Sequence, residues 1–312
     1  MTALIPKPIS KYDCIGIVSV SGPVDQKLLL DGLRNIHYMG FDSFTGENIL
    51  KRKGYLAGED SCRVSDLNTA LADPEIQAVV FARGGYGSMR ILENIDLESI
   101  QRNPKILVGM SDLTALSLSL FKRCGLVTLA GPMLATENGV NLDSDSLDSL
   151  LRSLTQDLRG TELIVPNIGE VTVIRPGKTI GRLLGGCLSM VCALLGTQHV
   201  PDFDRDILFL EEINEPLYRI DRMFMQLKLN GVFQRISGLL LGRFIGPESE
   251  DQRKAVEELI LELSKEFRFP IISGFPHGHA LPNLTLPHGM FVEMDTAKLS
   301  IIVTQDQPLA LK

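Results

Sequence analysis

The chain has 312 residues, 44% of them hydrophobic and 22% charged, which is the balance of a folded protein with a substantial core. Its formal net charge of -7 comes without any basic cluster, so it has no general attraction to polyphosphate and nucleic acid is excluded as an expected partner. No apolar run approaches the ~18 residues of a membrane span, and the start MTALIPKPISKYDC lacks the apolar core of a secretory signal, so a cytoplasmic protein without membrane association is expected. The 5 cysteines show no C-x-x-C spacing and read as buried reduced thiols rather than a disulfide framework or a zinc knuckle.

A chain of this length exceeds the usual reach of one core, so two domains are expected. CIGIVSV at 14–20 is a β-branched apolar run that reads as a first buried strand, ending in the turn residues Ser21, Gly22 and Pro23. Leu28, Leu29, Leu33 and Ile36 then recur at helical spacing before Gly40. The alternation continues with a helix in SDLNTALADPE and strands at AVVFA (78–82) and ILVGM (106–110). DLTALSLSLFKRCG gives a further helix, and VTLAGPM (127–133) another strand. This pattern predicts an α/β fold with an open, mostly parallel sheet whose working edge lies at the carboxyl ends of its strands.

The character changes between 141 and 177, where a Ser/Asp/Leu segment gives way to LIVPNIGEVTVIRPGK, which reads as a β-rich linker. The expected organisation is an N-terminal domain over 1–145, a linker over 146–178 and a C-terminal domain over 179–312. In the last of these, GRLLGGCLSMVCALLG reads as a buried helix and DILFLEE as a strand that surfaces at its acidic end. Pro216 suits the first turn of a helix striped by Leu217, Ile220, Phe224 and Leu227, with Gly231 at its C-terminal cap. GLLLGRF is a strand, a charged amphipathic helix runs over 250–267, and GFPHGHALPNLTLPHG is an irregular loop.

Candidate chemistry gathers at a few of these junctions. In VGMSDLTAL, Ser111 stands between a buried strand and the first turn of a helix, the setting of a nucleophile elbow, although Leu113 replaces the second glycine of G-x-S-x-G. A serine there also suits simple helix capping. FARGGYGS brings three glycines after a strand, which suit an oxyanion, a phosphate or a simple turn, and Arg83 fits the two anions better than the turn. Of the 5 histidines, His277, His279 and His288 share one loop, and a serine nucleophile needs such a base. H-x-H with a carboxylate such as Glu211 equally suits a metal. Of Glu211 and Glu212, strand alternation lets only one face a cleft, where it could orient a histidine.

Taken in order, ARGGYGS, GMSDLTAL, GPM, GRLLGGCLSM, LFLEEINEPLYRIDRM, GLLLGRF and GFPHGHALPNLTLPHG resemble the motifs of the LD-carboxypeptidase family, peptidase family S66, which includes muramoyltetrapeptide carboxypeptidases and microcin self-immunity peptidases. The resemblance runs from about residue 16 to 289. It implies a flavodoxin-like N-terminal domain, a smaller β-rich C-terminal domain, a site between them and a homodimer. It also implies a triad of Ser111, Glu211 and His279, with an oxyanion hole from the amides of Gly85 and Asp112 and no cofactor or metal. Arg83, Tyr86 and His277 are the candidate substrate contacts. The implied substrate is a small peptide, a murein tetrapeptide cleaved between an L-centre and a terminal D-alanine. The alternatives are a peptide-nucleotide antibiotic hydrolase, a metal-dependent hydrolase and a non-catalytic ligand-binding protein. Two positions depart from the family pattern: Cys187 follows Gly185 and Gly186 where relatives often carry asparagine, and Met110 stands where many have an aromatic residue.

Overall fold

The computed structural model describes residues 3–163, 171–247 and 251–304. Two sheets organise it. The first is built from β1 (Cys14–Val18), β2 (Asp42–Thr45), β3 (Ile76–Phe81), β4 (Ile106–Val108) and β5 (Thr128–Ala130) in the order β5-β4-β3-β1-β2, all parallel. That is the doubly wound order with its switch point between β1 and β3, the place where such sheets bind ligands. Helices α1 (Gln26–Tyr38), α2 (Asp60–Ala72), α3 (Leu97–Arg102) and α4 (Leu113–Cys124) make the crossovers. The centre of β1 is buried on both faces, which is why its sequence is a continuous apolar run rather than an alternating one. Asp25 caps α1 by accepting from the Leu28 amide at 3.0 Å.

Two short helices follow, α5 (Glu137–Val140) and α6 (Ser144–Thr155), then β6 (Thr172–Arg175) and β7 (Lys178–Cys187). The expected linker therefore begins inside a helix with buried Leu150 and Leu154, and its stretch 164–170 lies outside the described residues. The second sheet is mixed. It contains β7, β8 (Ile207–Ile213), β9 (Gly238–Ile245) and β10 (Ile271–Ser273) as a parallel centre, with antiparallel edges. The edges are β6 on one side and β12 (Phe291–Asp295) with β13 (Ser300–Val303) on the other. Between these strands run α7 (Leu188–Leu194), α8 (Leu217–Leu229), α9 (Val232–Arg235) and α10 (Arg253–Leu263). Pro216 is the residue before α8 rather than within its first turn, and Gly231 follows it with φ 79°. The start of the expected last helix, at 250, is outside the described residues.

One element differs in kind from its sequence reading. GRLLGGC is strand, not helix, and only Leu188–Leu194 coils. A short buried strand and a buried helix look alike in an apolar run, and here the glycines are decisive. Gly185 and Gly186 sit at φ 143° and 135°, and a Cβ at Gly185 would fall 1.9 Å from the Phe209 carbonyl oxygen. At Gly186 it would fall 2.3 Å from Thr114 Oγ1, so bare backbone lets β7 press against both β8 and α4.

The sheets are also tied together by chain exchange. The final loop returns to the first sheet as β11 (Leu286–His288), antiparallel to β5. This places the histidine-rich segment across the junction between the two sheets.

Candidate active site

β4 ends at Val108, and the chain must turn sharply before α4 begins at Leu113. Ser111 makes that turn with φ 62°, a left-handed backbone that a non-glycine residue adopts only where its surroundings impose it. Its carbonyl accepts from the Thr114 amide at 2.9 Å, so the helix grows directly out of the turn. The position before α4 belongs to Asp112, and no side chain caps that helix, so Ser111 Oγ is not used in capping. The strained strand-to-helix turn is the geometry of an elbow.

The glycine loop lies against this turn. A Cβ on Gly84 would stand 2.9 Å from Ser111 Cβ and 3.0 Å from its Oγ, so the backbone there touches the serine directly. Gly85 follows at φ 113°, packed on the Cα of Gly22. Among the described residues, neither the Gly85 nor the Asp112 amide donates to a protein acceptor. Two unspent backbone N–H groups next to one serine are the raw material of an anion pocket.

Asp112 fastens the arrangement. Its buried Oδ2 accepts from the Ser21 hydroxyl and, at 2.8 Å, from the Ser88 amide, while Ser88 Oγ donates to the Asp112 carbonyl at 2.6 Å. Arg63, fully buried, reaches the same loops from α2. Its Nη1 donates to the Val20 carbonyl and, at 2.9 Å, to that of Gly87. The loops after β1 and β3 and the turn after β4 thus form one hydrogen-bonded unit.

Glu211 comes from the carboxyl end of β8 and is 1% exposed. Its Oε2 accepts from His279 Nδ1 at 2.7 Å. Because Nδ1 holds the proton of that bond, Nε2 carries the lone pair that can receive another. Burial disfavours the imidazolium, but the charge and hydrogen bond of Glu211, helped by Glu212, outweigh it and raise the His279 pKa.

The local backbone explains the pairing. The ladder between β8 and β9 is irregular here, since Leu210 faces Leu241 while Glu212 faces Phe244, leaving Gly242 and Arg243 opposite Glu211. Gly242 admits the His277 carbonyl, from which a Cβ would be 2.5 Å away, and that carbonyl accepts from Arg243 N at 2.9 Å. Gly278, with φ 133°, lets the chain pass Glu211, whose Oε2 would be 3.0 Å from any Cβ there.

Asn283 joins the two halves. Its Nδ2 donates to Met110 Sδ at 3.2 Å, and its Oδ1 accepts from Gly278 N at 3.2 Å. It therefore bridges the residue before the serine and the residue before the histidine. The Asn283 and Thr285 amides donate to Ser146 Oγ and Ser149 Oγ on α6, at 2.7 and 2.9 Å. Asn138 Nδ2 donates to the His279 carbonyl at 2.8 Å.

The candidate substrate residues separate. Arg83 donates to the Pro23 carbonyl at 3.1 Å and remains half-buried beside the glycine loop. Tyr86 is exposed and meets the exposed Tyr55 edge-on, with ring centroids 5.6 Å apart. His277 is different: it is 1% exposed, packs on Phe209 and donates from Nδ1 to the Leu284 carbonyl at 2.9 Å. Its imidazole belongs to the interior, not to the surface that Arg83 and Tyr86 share. For the metal alternative, no group of three or more His, Cys, Asp or Glu among the described residues is arranged to hold an ion.

Several of these residues escaped the sequence reading. Arg63 had a usable signal, because it lies on the same helical stripe as Leu67 and Ala70, where a surface arginine would not be. Asn283, Ser21 and Ser88 had none, since polar residues in loops are ordinary.

Known proteins with these features fall in one group. The LD-carboxypeptidase N-terminal domain profile matches residues 15–131, and the LD-carboxypeptidase C-terminal domain profile matches residues 180–294. The chain is 33% identical over 300 residues to the "Probable murein peptide carboxypeptidase" of Bacillus subtilis, covering 96% of this chain and 93% of that one. It is 29% identical to the murein tetrapeptide carboxypeptidase of Pseudomonas aeruginosa, with 91% and 94% covered. Among solved structures, the microcin C7 self immunity protein MccF in complex with aspartyl sulfamoyl adenosine superposes with a TM-score of 0.88 at 27% identity, covering 97% and 99% of the two chains. The muramoyltetrapeptide carboxypeptidase from Oxalobacter formigenes gives 0.78 at 26% identity, with 94% and 99% covered. On this agreement of sequence, fold and motif order, the chain belongs to the LD-carboxypeptidase family, peptidase family S66.

Proposed function

We propose that the chain is a serine-type LD-carboxypeptidase that removes the terminal D-alanine from murein tetrapeptides, working in the cytoplasm as a homodimer on fragments released from the wall. The observation that carries this reading is the buried Glu211–His279 pair, 2.7 Å apart, joined through Asn283 to the strained turn at Ser111. In the reaction, Ser111 Oγ attacks the carbonyl carbon of the last peptide bond while His279 Nε2 takes its proton. The negative oxygen that develops is received by the Gly85 and Asp112 amides. His279 then returns the proton to the departing amine, and D-alanine leaves. Water, deprotonated by the same nitrogen, hydrolyses the ester and restores the serine. Glu211 fixes the imidazole tautomer and stabilises the imidazolium in both halves of the cycle.

The relatives named for murein peptides support this substrate. The test is incubation with L-Ala-D-Glu-(meso-diaminopimelate)-D-Ala, following D-alanine by mass spectrometry, with and without chelator and beside Ser111→Ala. The reading requires chelator-resistant release that falls by about 1000-fold or more in the variant. Release that survives in Ser111→Ala, or that a chelator abolishes, defeats it.

A second reading has one observation in its favour. The exposed Tyr55–Tyr86 pair adjoins the glycine loop and offers ring faces to a flat group, and the MccF structure holds an aminoacyl nucleotide analogue. The chain has no Trp, so any such stacking falls to tyrosine or phenylalanine. Cleavage of an aminoacyl sulfamoyl adenosine, with no release from the tetrapeptide, would select that activity instead.

A further inference from the structure

Beside Glu211 lies a small cavity of about 10 Å³, the least space that holds one water molecule. Glu211, His277 and His288 line it, with Thr114, Ser117 and the glycine pair of β7. Three of the residues that line it carry buried polar atoms. Among the described residues, Glu211 Oε1, His277 Nε2 and both ring nitrogens of His288 are buried without a protein hydrogen-bond partner. Unpaired buried polar atoms are costly, and several of them on residues around one small space point to an internal water.

The donor and acceptor roles are fixed by the surroundings. His277 donates from Nδ1 to the Leu284 carbonyl, so its Nε2 is an acceptor. Glu211 Oε1 is an acceptor as well. Two acceptors cannot bond each other, and the one small molecule that satisfies both is a water donating a proton to each. Both histidines are held neutral by burial, which pushes His277 down and takes His288 to about 3. Neutral His288 must carry one N–H, and neither of its ring nitrogens has a protein partner among the described residues.

We infer that His277 and His288 are positioning residues that hold one buried water against Glu211 Oε1, locking the carboxylate so that Oε2 stays on His279. Resting on the proposed triad, this assigns a task to the two histidines of GFPHGHALPNLTLPHG that the chemistry leaves unused. The packing suits it: His277 meets Phe209 edge-on, and His288 meets Phe209 and Phe121 in the same way.

The first measurement is a high-resolution crystal structure of the wild-type protein. It should show one water within hydrogen-bond distance of Glu211 Oε1 and His277 Nε2. A dry cavity, or a direct contact between those two atoms, overturns the inference whatever the enzyme hydrolyses. The second is a pair of variants assayed on the tetrapeptide, with folding checked by thermal melting. His277→Phe keeps the ring and loses the acceptor; kcat should fall about tenfold with KM unchanged, and the downfield proton resonance of His279 Nδ1–H should shift or broaden. His277→Gln restores an acceptor near the Nε2 position and should recover most of the rate and the resonance. Equal behaviour of the two variants would assign His277 to packing alone. Failure of Ser111→Ala to abolish turnover would defeat the triad while leaving the crystallographic result standing, so the two failures are distinguishable.

Discussion

Glu211 and Glu212, adjacent at the end of β8, send their carboxylates to opposite faces of the sheet. Glu211 Oε2 meets His279 Nδ1 at 2.7 Å, and Glu212 Oε2 meets the Ser189 amide at 2.7 Å. Glu212 Oε1 also accepts from its neighbour's amide, Ile213 N, at 2.9 Å and from the Cys187 thiol at 3.3 Å. One glutamate thus holds the His279 ring, and the other receives the Ser189 amide at the start of α7. Strand alternation sends the two side chains to opposite faces, and the break in the β8–β9 ladder makes room for the Glu211 pairing.

The division predicts two different phenotypes. Glu212→Ala leaves buried N–H groups unpaired and should cost about 2–3 kcal/mol of stability, read as a lower urea midpoint. Glu211→Gln should leave the stability within about 1 kcal/mol of wild type and reduce kcat by about 1000-fold or more, because the amide can favour the wrong imidazole tautomer. Cys187→Asn should be tolerated, since an asparagine amide can donate to Glu212 as the thiol does.

On the proposed mechanism, the raised pKa of His279 sets the acid limb of activity. Catalysis needs the neutral base, so the kcat/KM profile should fall on the acid side with a midpoint above the ordinary histidine value of 6.5. In Glu211→Gln the charge that raises it is gone while burial remains, so the residual activity should have its midpoint moved to lower pH. The same shift is a stability term. The pairing stabilises the fold fully below pH 6.5, and the contribution disappears as pH rises through the folded-state pKa. An unchanged acid limb in the variant would mean that another group controls the profile.

Asp112 supplies a third prediction through its side chain. Its Oδ2 holds Ser21 and Ser88, so Asp112→Ala leaves only the Ser88 Oγ bond to the Asp112 carbonyl between the glycine loop and the turn that carries the serine. The two candidate oxyanion donors, Gly85 and Asp112, then lose their fixed spacing. The expected loss is about 100-fold in kcat with KM little changed, since the donors act on charge that develops only in the transition state. Asp112→Asn can place an amide oxygen at the same point and should stay within about tenfold of wild type.

How much of this was legible in the sequence depended on the kind of signal. The parallel sheet was readable because its strands are buried on both faces and its helices are amphipathic, giving two distinct periodicities. The edge strand Asp42–Thr45 was not, because DSFT is short, polar and half exposed. GRLLGGC was misread because an apolar run has no period of its own, and only the glycine pair marked it as strand. Around the site, the serine, glutamate and histidine each stood at a junction of pattern, which is where motifs are visible. Asn283, Ser21 and Ser88 act by meeting residues 91 or more positions away or on another loop, a relation that exists only after folding. Residue type does not tell His277 from His279; the family motif singled out His279, and the structure adds that His277 is the interior ring.

Gly84 offers the sharpest test of the serine's surroundings. A Cβ there would lie 2.9 Å from Ser111 Cβ and 3.0 Å from Oγ, closer than side chains approach, and both neighbours belong to a turn already strained at φ 62°. The serine cannot yield by rotating away without leaving its position beside the glycine loop. Gly84 itself does not have positive φ, so Gly84→Ala introduces no backbone penalty of its own, and the injury is confined to this one contact. The fold should therefore survive, with a melting temperature within a few degrees of wild type, while kcat falls by about 100-fold or more through misplacement of the nucleophile. Gly160→Ala is the matching control, because a Cβ there meets nothing within 4 Å and its φ of 84° carries the backbone strain that Gly84 lacks. That variant should lose about 1 kcal/mol of stability and keep its rate. An active Gly84→Ala enzyme would show that Ser111 does not work from the position the turn gives it.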